Sequence, residues 1–187
     1  IRTLLRPASV RSPVTRRRLV NLLVVALLVL AAALVLTGPT SPLAPLFSPL
    51  SYENATLSIQ DTNGDELASV DVRVADTERE RYVGLSQTDS LAAGEGMLFV
   101  HPESGTYPYV MREMAFPIDI VFIDANGTIT TIHHARLPEN PSDPGRQYRG
   151  QGRYVLEVPL GWTNATGAEV GDHVSQGVTR RVGVRFG

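Results

Sequence analysis

The fold is decided by the stretch Tyr109-Val-Met-Arg-Glu-Met-Ala-Phe-Pro-Ile-Asp-Ile-Val-Phe-Ile-Asp124. Its second half, residues 117–124, opens with a proline and is rich in β-branched and aromatic residues, which predicts a β-strand. Because successive side chains of a strand point to opposite faces, this strand has two apolar faces, interrupted only by Asp119. A strand that is apolar on both faces is typical of a central, buried position in a sheet.

Asp119 is the clearest chemical signal in the chain. An ionised carboxylate inside an apolar strand is costly unless it is paired or well hydrogen-bonded. Arginine presents a planar fork that binds a carboxylate through two hydrogen bonds, so we expect Arg112 or Arg81 to be the partner of Asp119. Two interpretations stay open: a buried ion pair that only satisfies Asp119, or a site in which the arginine binds a small anionic ligand.

Glu157 lies in a second apolar stretch, Tyr154-Val-Leu-Glu-Val158, and is thus a second acid within a predicted strand. If Asp119 and Glu157 lay on neighbouring strands, the two carboxylates could form the acid–base pair of a glycoside hydrolase. The predicted ligand-binding residues are therefore Arg81, Arg112, Asp119 and Glu157. The expected ligand is a small anion or a carbohydrate, and no residue is assigned a catalytic role.

Other chemistry leaves no recognisable pattern. The chain has no His-Glu-x-x-His zinc motif, no Gly-x-Ser-x-Gly elbow, no phosphate-binding glycine loop and no dinucleotide fingerprint. Adjacent residues of a strand point to opposite faces, so His133 and His134 are not expected to bind one metal together. We predict neither a metal site nor a cofactor.

Charge is distributed unevenly along the 187 residues. Six arginines and no acid precede residue 19, whereas 11 arginines and all 19 acids follow it, a net charge of −8. There is no lysine and no cysteine, which excludes disulfides and thiolate chemistry. An acidic surface on which arginine is the only strong base predicts a halophilic protein, although a GC-rich genome would also favour arginine. The net negative charge also argues against a nucleic-acid partner, which requires a basic patch.

The N-terminal third predicts a membrane anchor. Residues 19–36 are apolar apart from Asn21, and 18 helical residues cover about 27 Å, close to the bilayer core of about 30 Å. Three consecutive arginines precede the segment, so residues 1–18 are expected to form a cytoplasmic basic tail, with the chain after residue 36 outside the cell. The alternative is a cleaved signal peptide and a secreted domain.

Residues 37–51 are rich in proline and serine and carry no charge, which predicts an extended linker. The β-domain then occupies residues 52–187. It contains three N-glycosylation sequons, at Asn54, Asn126 and Asn164, which fit an external location.

Turn and cap sequences divide this domain into short elements. Asp61-Thr-Asn-Gly-Asp65 and Asp124-Ala-Asn-Gly127 predict hairpin turns, and Thr77-Glu-Arg-Glu80 is a capping box for a short helix that ends at Gly84. Thr163 is predicted to cap a second helix. We predict strands over residues 56–59, 70–74, 97–100, 117–124, 128–134, 154–158 and 178–186. The expected fold class is mainly β: one β-sandwich, jelly-roll-like, or one squat barrel, with one or two short helices.

The order of motifs along the chain resembles one known family. The motifs are Val74-Ala-Asp-Thr77, Glu80-Arg-x-x-Gly-Leu85, Gly96-Met-Leu-Phe-Val100, Tyr109-x-Met-Arg-x-Met114, the strand at residues 117–124, Tyr154-Val-Leu-Glu-Val158, Gly161 and Gly171-Asp172. Together, over about residues 53–178, they are similar to the family called domain of unknown function 192. The resemblance implies a compact jelly-roll-type β-domain without an established activity. Three positions depart from the family pattern, namely Ser86, Val110 and Glu113.

These observations predict a membrane-anchored extracytoplasmic domain that acts as a binding or accessory module. The alternatives are a hydrolase that uses Asp119 and Glu157, and a structural protein of the cell envelope that binds another envelope protein.

Overall fold

The computed structural model describes residues 13–37, 50–140 and 145–176. The chain divides into two compact units, residues 1–50 and residues 51–187. The predicted basic tail and the predicted linker fall largely outside the described residues. So does the predicted closing strand at residues 178–186.

In the first unit, the described residues 13–37 form the helix α1 (Pro13–Thr37). It includes the apolar segment 19–36 that the sequence singles out as a membrane span. Within the part of the chain that the structure describes, we find no helix that combines the length and the hydropathy needed to cross a membrane.

The described residues of the second unit form seven strands and two short helices, in the order β1 (Glu53–Gln60), β2 (Glu66–Ala75), α2 (Glu78–Val83), β3 (Glu95–Tyr109), β4 (Ile118–Ile123), β5 (Ile129–Ala135), β6 (Tyr148–Pro159), α3 (Trp162–Thr166) and β7 (His173–Gln176). The fold is therefore mainly β, as predicted. The two predicted hairpin turns join β1 to β2 and β4 to β5. The capping box at Thr77 is formed, and Gly84 ends α2.

The strands form a single sheet in the order β5-β4-β6-β3-β2-β1-β7, in which only β2 and β3 are parallel. The sheet curls until its two edge strands approach each other. Thr128 and His173 form a bridge there, and the amide of Val174 donates to the carbonyl of Gly127 at 2.7 Å. The predicted squat barrel is thus present as a partly closed form, whereas the two-sheet sandwich is not formed.

Two apolar clusters cover the two faces of the sheet. The inner face, represented by Leu57, Val121 and Leu156, receives buried side chains from all seven strands. The outer face carries Met97 and Phe122, and it is covered by the segments that follow α2 and β3. Every residue of β4 is buried, which confirms the prediction of a strand with two covered faces.

β3 is much longer than the predicted strand at residues 97–100. Its pairing with β6 is interrupted between Val100 and Gly105 and then resumes to Tyr109. His101, Tyr107 and Tyr109 lie on the outer face, as Phe99 does, and they line a cavity together with residues of α2.

Candidate functional site

Asp119 holds α3 against the end of the barrel. Its side chain is fully buried. One carboxylate oxygen, Oδ2, accepts from the amide of Thr163 at 3.0 Å and from the hydroxyl of Thr163 at 2.7 Å. The other, Oδ1, accepts from the amide of Gly161 at 3.1 Å and contacts Nδ1 of His134 at 2.7 Å. The carboxylate thus satisfies backbone donors at the N-terminus of α3, where a negative charge is favourable.

The prediction that Arg81 or Arg112 pairs with Asp119 is therefore wrong. The partners are amides and a hydroxyl that lie 42 and 44 residues further along the chain, together with a histidine from the neighbouring strand. Thr163 also differs from its predicted role. Gly161 occupies the N-cap position and no side chain of α3 itself caps the helix, because the acceptor comes from β4.

The predicted carboxylate pair is also not formed. Glu157 is directly opposite Ile120 in the pairing of β4 with β6, and Asp119 is opposite Val158. Residues opposite each other share a face, whereas neighbours along a strand point to opposite faces. Asp119 faces the inner side with Val158 and Glu157 faces the outer side, so the sheet separates the two carboxyls and they cannot act on one glycosidic bond.

Three of the four predicted residues nevertheless meet, in a different place. Arg81, Arg112 and Glu157 line a cavity of about 260 Å³ on the outer face, between α2 and the second half of β3. We call it the outer cavity. Its remaining walls are formed by Tyr82, Val83, Gly84, Leu85, Ser86, Phe99, His101, Tyr107, Pro108, Tyr109, Val110 and Met114.

The two arginines are positioned by backbone carbonyls. Nη1 of Arg81 donates to the carbonyl of Val100 at 2.9 Å and also to the carbonyl of Asp76. Nη2 of Arg112 donates to the carbonyl of Tyr82 at 2.8 Å, and its guanidinium lies 4.2 Å from the centre of the Tyr82 ring. A guanidinium has five N–H donors, so these contacts orient both groups and leave donors for a ligand.

Glu157 is the buried acid of the outer cavity. Glu157 is only 6% exposed and lines the cavity. Burial raises the pKa of Glu157 to about 8, because desolvation disfavours the ionised form. At neutral pH the carboxyl group is therefore mostly protonated and uncharged.

A histidine and two tyrosines complete the polar part of the wall. Nε2 of His101 is 3.0 Å from the hydroxyl oxygen of Tyr109, and the imidazole stacks on Tyr107 with ring centres 3.5 Å apart. Burial, assisted by the charge of Arg81, lowers the pKa of His101 to about 4. Burial and the nearby Glu157 raise the pKa of Tyr109. Both rings are consequently neutral at physiological pH.

Sequence reasoning did not assign His101, Tyr107 or Tyr109 to a ligand site. The available signal was the i, i+2 spacing of the two tyrosines, which places both rings on one face if the strand continues to Tyr109. The proline and glycine residues between them and Val100 concealed that continuation.

His133 and His134 have separate partners. His133 contacts the carbonyl of Arg149 through Nε2 at 2.8 Å, whereas His134 contacts Asp119. Over residues 13–37, 50–140 and 145–176, no three side chains of the His, Cys, Asp or Glu types are grouped so that they could hold a metal ion.

The electrostatics of the outer cavity favour an anion. Two guanidinium groups are charged, the histidine is neutral and the one carboxyl group is protonated at neutral pH. A positive, partly enclosed site on a domain with a net negative charge concentrates anions locally, because low-dielectric walls strengthen the field.

Comparisons with known proteins agree with this architecture. The family model DUF192, described as Uncharacterized ACR, matches residues 59–176. A "UPF0127 protein" of Thermococcus sibiricus is 30% identical over 108 residues, and the match spans 55% of this chain and 64% of that protein, less than two thirds of its length.

Two solved structures are similar in fold. A "putative transcription regulator" from Sinorhizobium meliloti has a TM-score of 0.63 and 26% identity, over 69% of this chain and 98% of that one. A protein of unknown function from Novosphingobium aromaticivorans has a TM-score of 0.56 and 24% identity, over 74% of this chain and 99% of that one. The second likeness concerns the fold alone.

Proposed function

We propose that this chain, which belongs to the uncharacterized DUF192 family, is a binding module whose outer cavity holds a small anionic ligand. The observation that carries the proposal is the convergence of Arg81 and Arg112 on one cavity, in which the single acid among the described lining residues, Glu157, is mostly protonated at neutral pH. An oriented guanidinium binds carboxylate, phosphate or sulfate oxygens through charge-assisted hydrogen bonds.

The relative described as a transcription regulator does not extend the proposal to nucleic acid. Residues 19–187 carry a net charge of −8, and nucleic-acid binding requires a basic patch that neutralises phosphates. We therefore propose a small molecule as the ligand and assign no nucleic-acid partner.

A ligand-stabilisation assay tests anion binding. At a ligand concentration ten times the dissociation constant, binding stabilises the folded chain by about 1.4 kcal/mol, which raises the melting temperature by a few degrees. We expect this shift with sodium phosphate, sodium sulfate or a sugar acid at constant ionic strength, and we expect the Arg112→Met variant to lose it.

Arg149→Met is the matched control, because Arg149 is an exposed arginine outside the cavity whose side chain contacts Gln147. The control should keep the full shift. A shift that survives in Arg112→Met, or no shift with any anion, contradicts the proposed site and leaves the structural envelope role as the better explanation.

We also propose that the β-domain is tethered to a membrane and faces the outside of the cell. The proposal is supported by the arginine cluster before residue 19 and by the large apolar side chains of α1, of which Leu22 is 67% exposed. The three sequon asparagines, Asn54, Asn126 and Asn164, are all exposed. Carbonate extraction of cell membranes tests the tether, because release of the intact chain into the wash excludes it. If the chain recovered from the cells begins beyond residue 36, the N-terminal segment is instead a cleaved signal peptide.

A further inference from the structure

Building on the function proposed above, we propose that the ligand of the outer cavity is a small organic carboxylate that also carries a hydroxyl group, such as a sugar acid. The carboxylate would bind the guanidinium of Arg112, and the hydroxyl would bind the carboxyl group of Glu157. Glu157 is then the residue that selects a hydroxylated ligand over a simple anion.

The size of the cavity argues against an inorganic ion as its only occupant. A water molecule takes up about 30 Å³ in the liquid, so the cavity of about 260 Å³ corresponds to several waters. A phosphate or sulfate ion would leave most of that volume filled with water. The cavity is also smaller than the sites of drug-sized ligands, which begin at about 300 Å³, and it therefore suits a molecule of monosaccharide size.

The side chains that line the cavity indicate a ligand with a carbon skeleton. Apolar and aromatic side chains, including Leu85, Phe99, Met114 and Tyr107, make up much of the lining. A ligand with C–H groups covers such walls and removes apolar surface from water. Tyrosine rings beside hydrogen-bonding groups match a molecule that has one apolar and one polar side.

Glu157 supplies the strongest part of the argument. Glu157 is only 6% exposed and borders the cavity, and its carboxyl oxygens are not among the buried side-chain atoms that lack a partner in the described part of the chain. The carboxyl group therefore belongs to the wall of the cavity rather than to its closed surroundings in the core. A ligand group that fills the space beside it can form hydrogen bonds with the carboxyl group.

The protonation state of Glu157 identifies that ligand group. A protonated carboxyl has one O–H donor and one carbonyl acceptor, and a hydroxyl group also both donates and accepts. The two groups can therefore satisfy each other. A ligand carboxylate could accept from Glu157 but would leave the carbonyl oxygen unpaired, and a ligand amine would be opposed by Arg81 and Arg112.

Isothermal titration of the purified full chain at pH 7 tests the proposal with four probes: D-glucuronate, D-glucose, cyclohexanecarboxylate and sodium phosphate. These supply carboxylate with hydroxyls, hydroxyls alone, carboxylate alone and an inorganic anion. We expect D-glucuronate to bind at least tenfold more tightly than each of the other three.

Two variants of Glu157 separate recognition from folding. Glu157→Leu removes both hydrogen-bonding functions and should weaken D-glucuronate at least tenfold more than cyclohexanecarboxylate, which abolishes the preference for D-glucuronate. Glu157→Gln keeps a donor and an acceptor at the same position and should restore at least part of the preference. A merely structural role for Glu157 would weaken all ligands equally.

The possible failures are distinguishable. If phosphate or cyclohexanecarboxylate binds as tightly as D-glucuronate, the hydroxylated ligand is overturned and the anion site stands. If D-glucuronate keeps its preference in Glu157→Leu, the role of Glu157 is overturned. If none of the four probes binds, both this inference and the proposed function fail.

Discussion

Replacing Glu157 with glutamine should remove a pH dependence from the stability of the β-domain. The substitution keeps the size and shape of the side chain but makes it neutral at every pH. In the wild type, burial raises the pKa of Glu157 to about 8 from an ordinary value of 4.5. At a pH between these two pKa values, Glu157 is therefore still protonated in the folded chain but already ionised in the unfolded chain.

The sign and size of the effect follow from proton linkage. The carboxyl group is protonated in both states below pH 4.5, so its contribution to stability is fully present there and is lost as the pH rises towards 8. Each unit of pKa difference corresponds to about 1.4 kcal/mol, so the free energy of unfolding should fall by about 1.4 kcal/mol per pH unit across this window. The total loss is about 5 kcal/mol, of which about 3 kcal/mol is reached at pH 7.

Urea unfolding of the wild type and of Glu157→Gln from pH 5 to pH 9 provides the measurement. Trp162 is the only tryptophan of the chain and packs against the inner cluster, so its fluorescence reports unfolding of the β-domain. Other groups titrate in the same range, and the difference between the two proteins removes their contribution. We expect Glu157→Gln to become progressively more stable than the wild type up to about pH 8, with a constant difference above that.

A difference between the two proteins that does not change from pH 5 to pH 9 would refute this reasoning. It would mean that Glu157 ionises at an ordinary pKa, that the cavity contains a charged acid at neutral pH, and that the positive character assigned to the outer cavity is overstated.

Three further substitutions test the fold and the finding that Asp119 of β4 caps α3. Asp119→Asn should lower the free energy of unfolding by about 2–4 kcal/mol, because it removes the carboxylate that accepts hydrogen bonds from α3 and turns an amide NH2 towards these donors. Urea unfolding measures the loss, and a change below about 0.5 kcal/mol would exclude the capping role. Glu113→Gly should raise the melting temperature, since Glu113 has φ 56° and a left-handed conformation costs a non-glycine residue about 1–2 kcal/mol; calorimetry that shows a lower melting temperature contradicts this explanation. Gly150→Ala should destabilise the fold by about 2 kcal/mol or more, because its Cβ would lie 2.3 Å from the ring of Phe122. The double variant with Phe122→Leu should recover part of that loss in the same unfolding assay, and a fully additive result would exclude this contact as the cause.

Much of the fold was predictable from residues that are close together in sequence. The hairpin turns before β2 and β5, the capping box at Thr77 and the end of α2 at Gly84 each depend on a few consecutive residues, and all are formed. The two-sided burial of β4 was also predicted correctly from its composition. The extension of β3 to Tyr109 was missed, because its backbone is held by hydrogen bonds to β6 rather than by strand-forming residues of its own.

The candidate site was predicted only in part. Arg81 and Arg112 were predicted as partners of Asp119, and Glu157 as a second acid in an apolar strand; these three residues do line one cavity. Asp119, which was predicted to lie at the centre of that site, instead caps a helix on the other face of the sheet. The sequence contained both acids in apolar strands, but the pairing register of β4 with β6 determines which face each acid occupies.

The order of the residues is sufficient to establish a mainly β-domain, its turns, its family resemblance and the presence of acids where acids are costly. These properties depend on backbone preferences and on side-chain alternation, which act within a few residues. The partner of each buried carboxyl group depends instead on contacts between distant segments. Asp119 is satisfied by amides more than 40 residues away, and Glu157 lines a cavity between α2 and β3. Only the curvature and register of the folded sheet bring those groups together, because hydrogen bonds between strands set distances that no local pattern encodes.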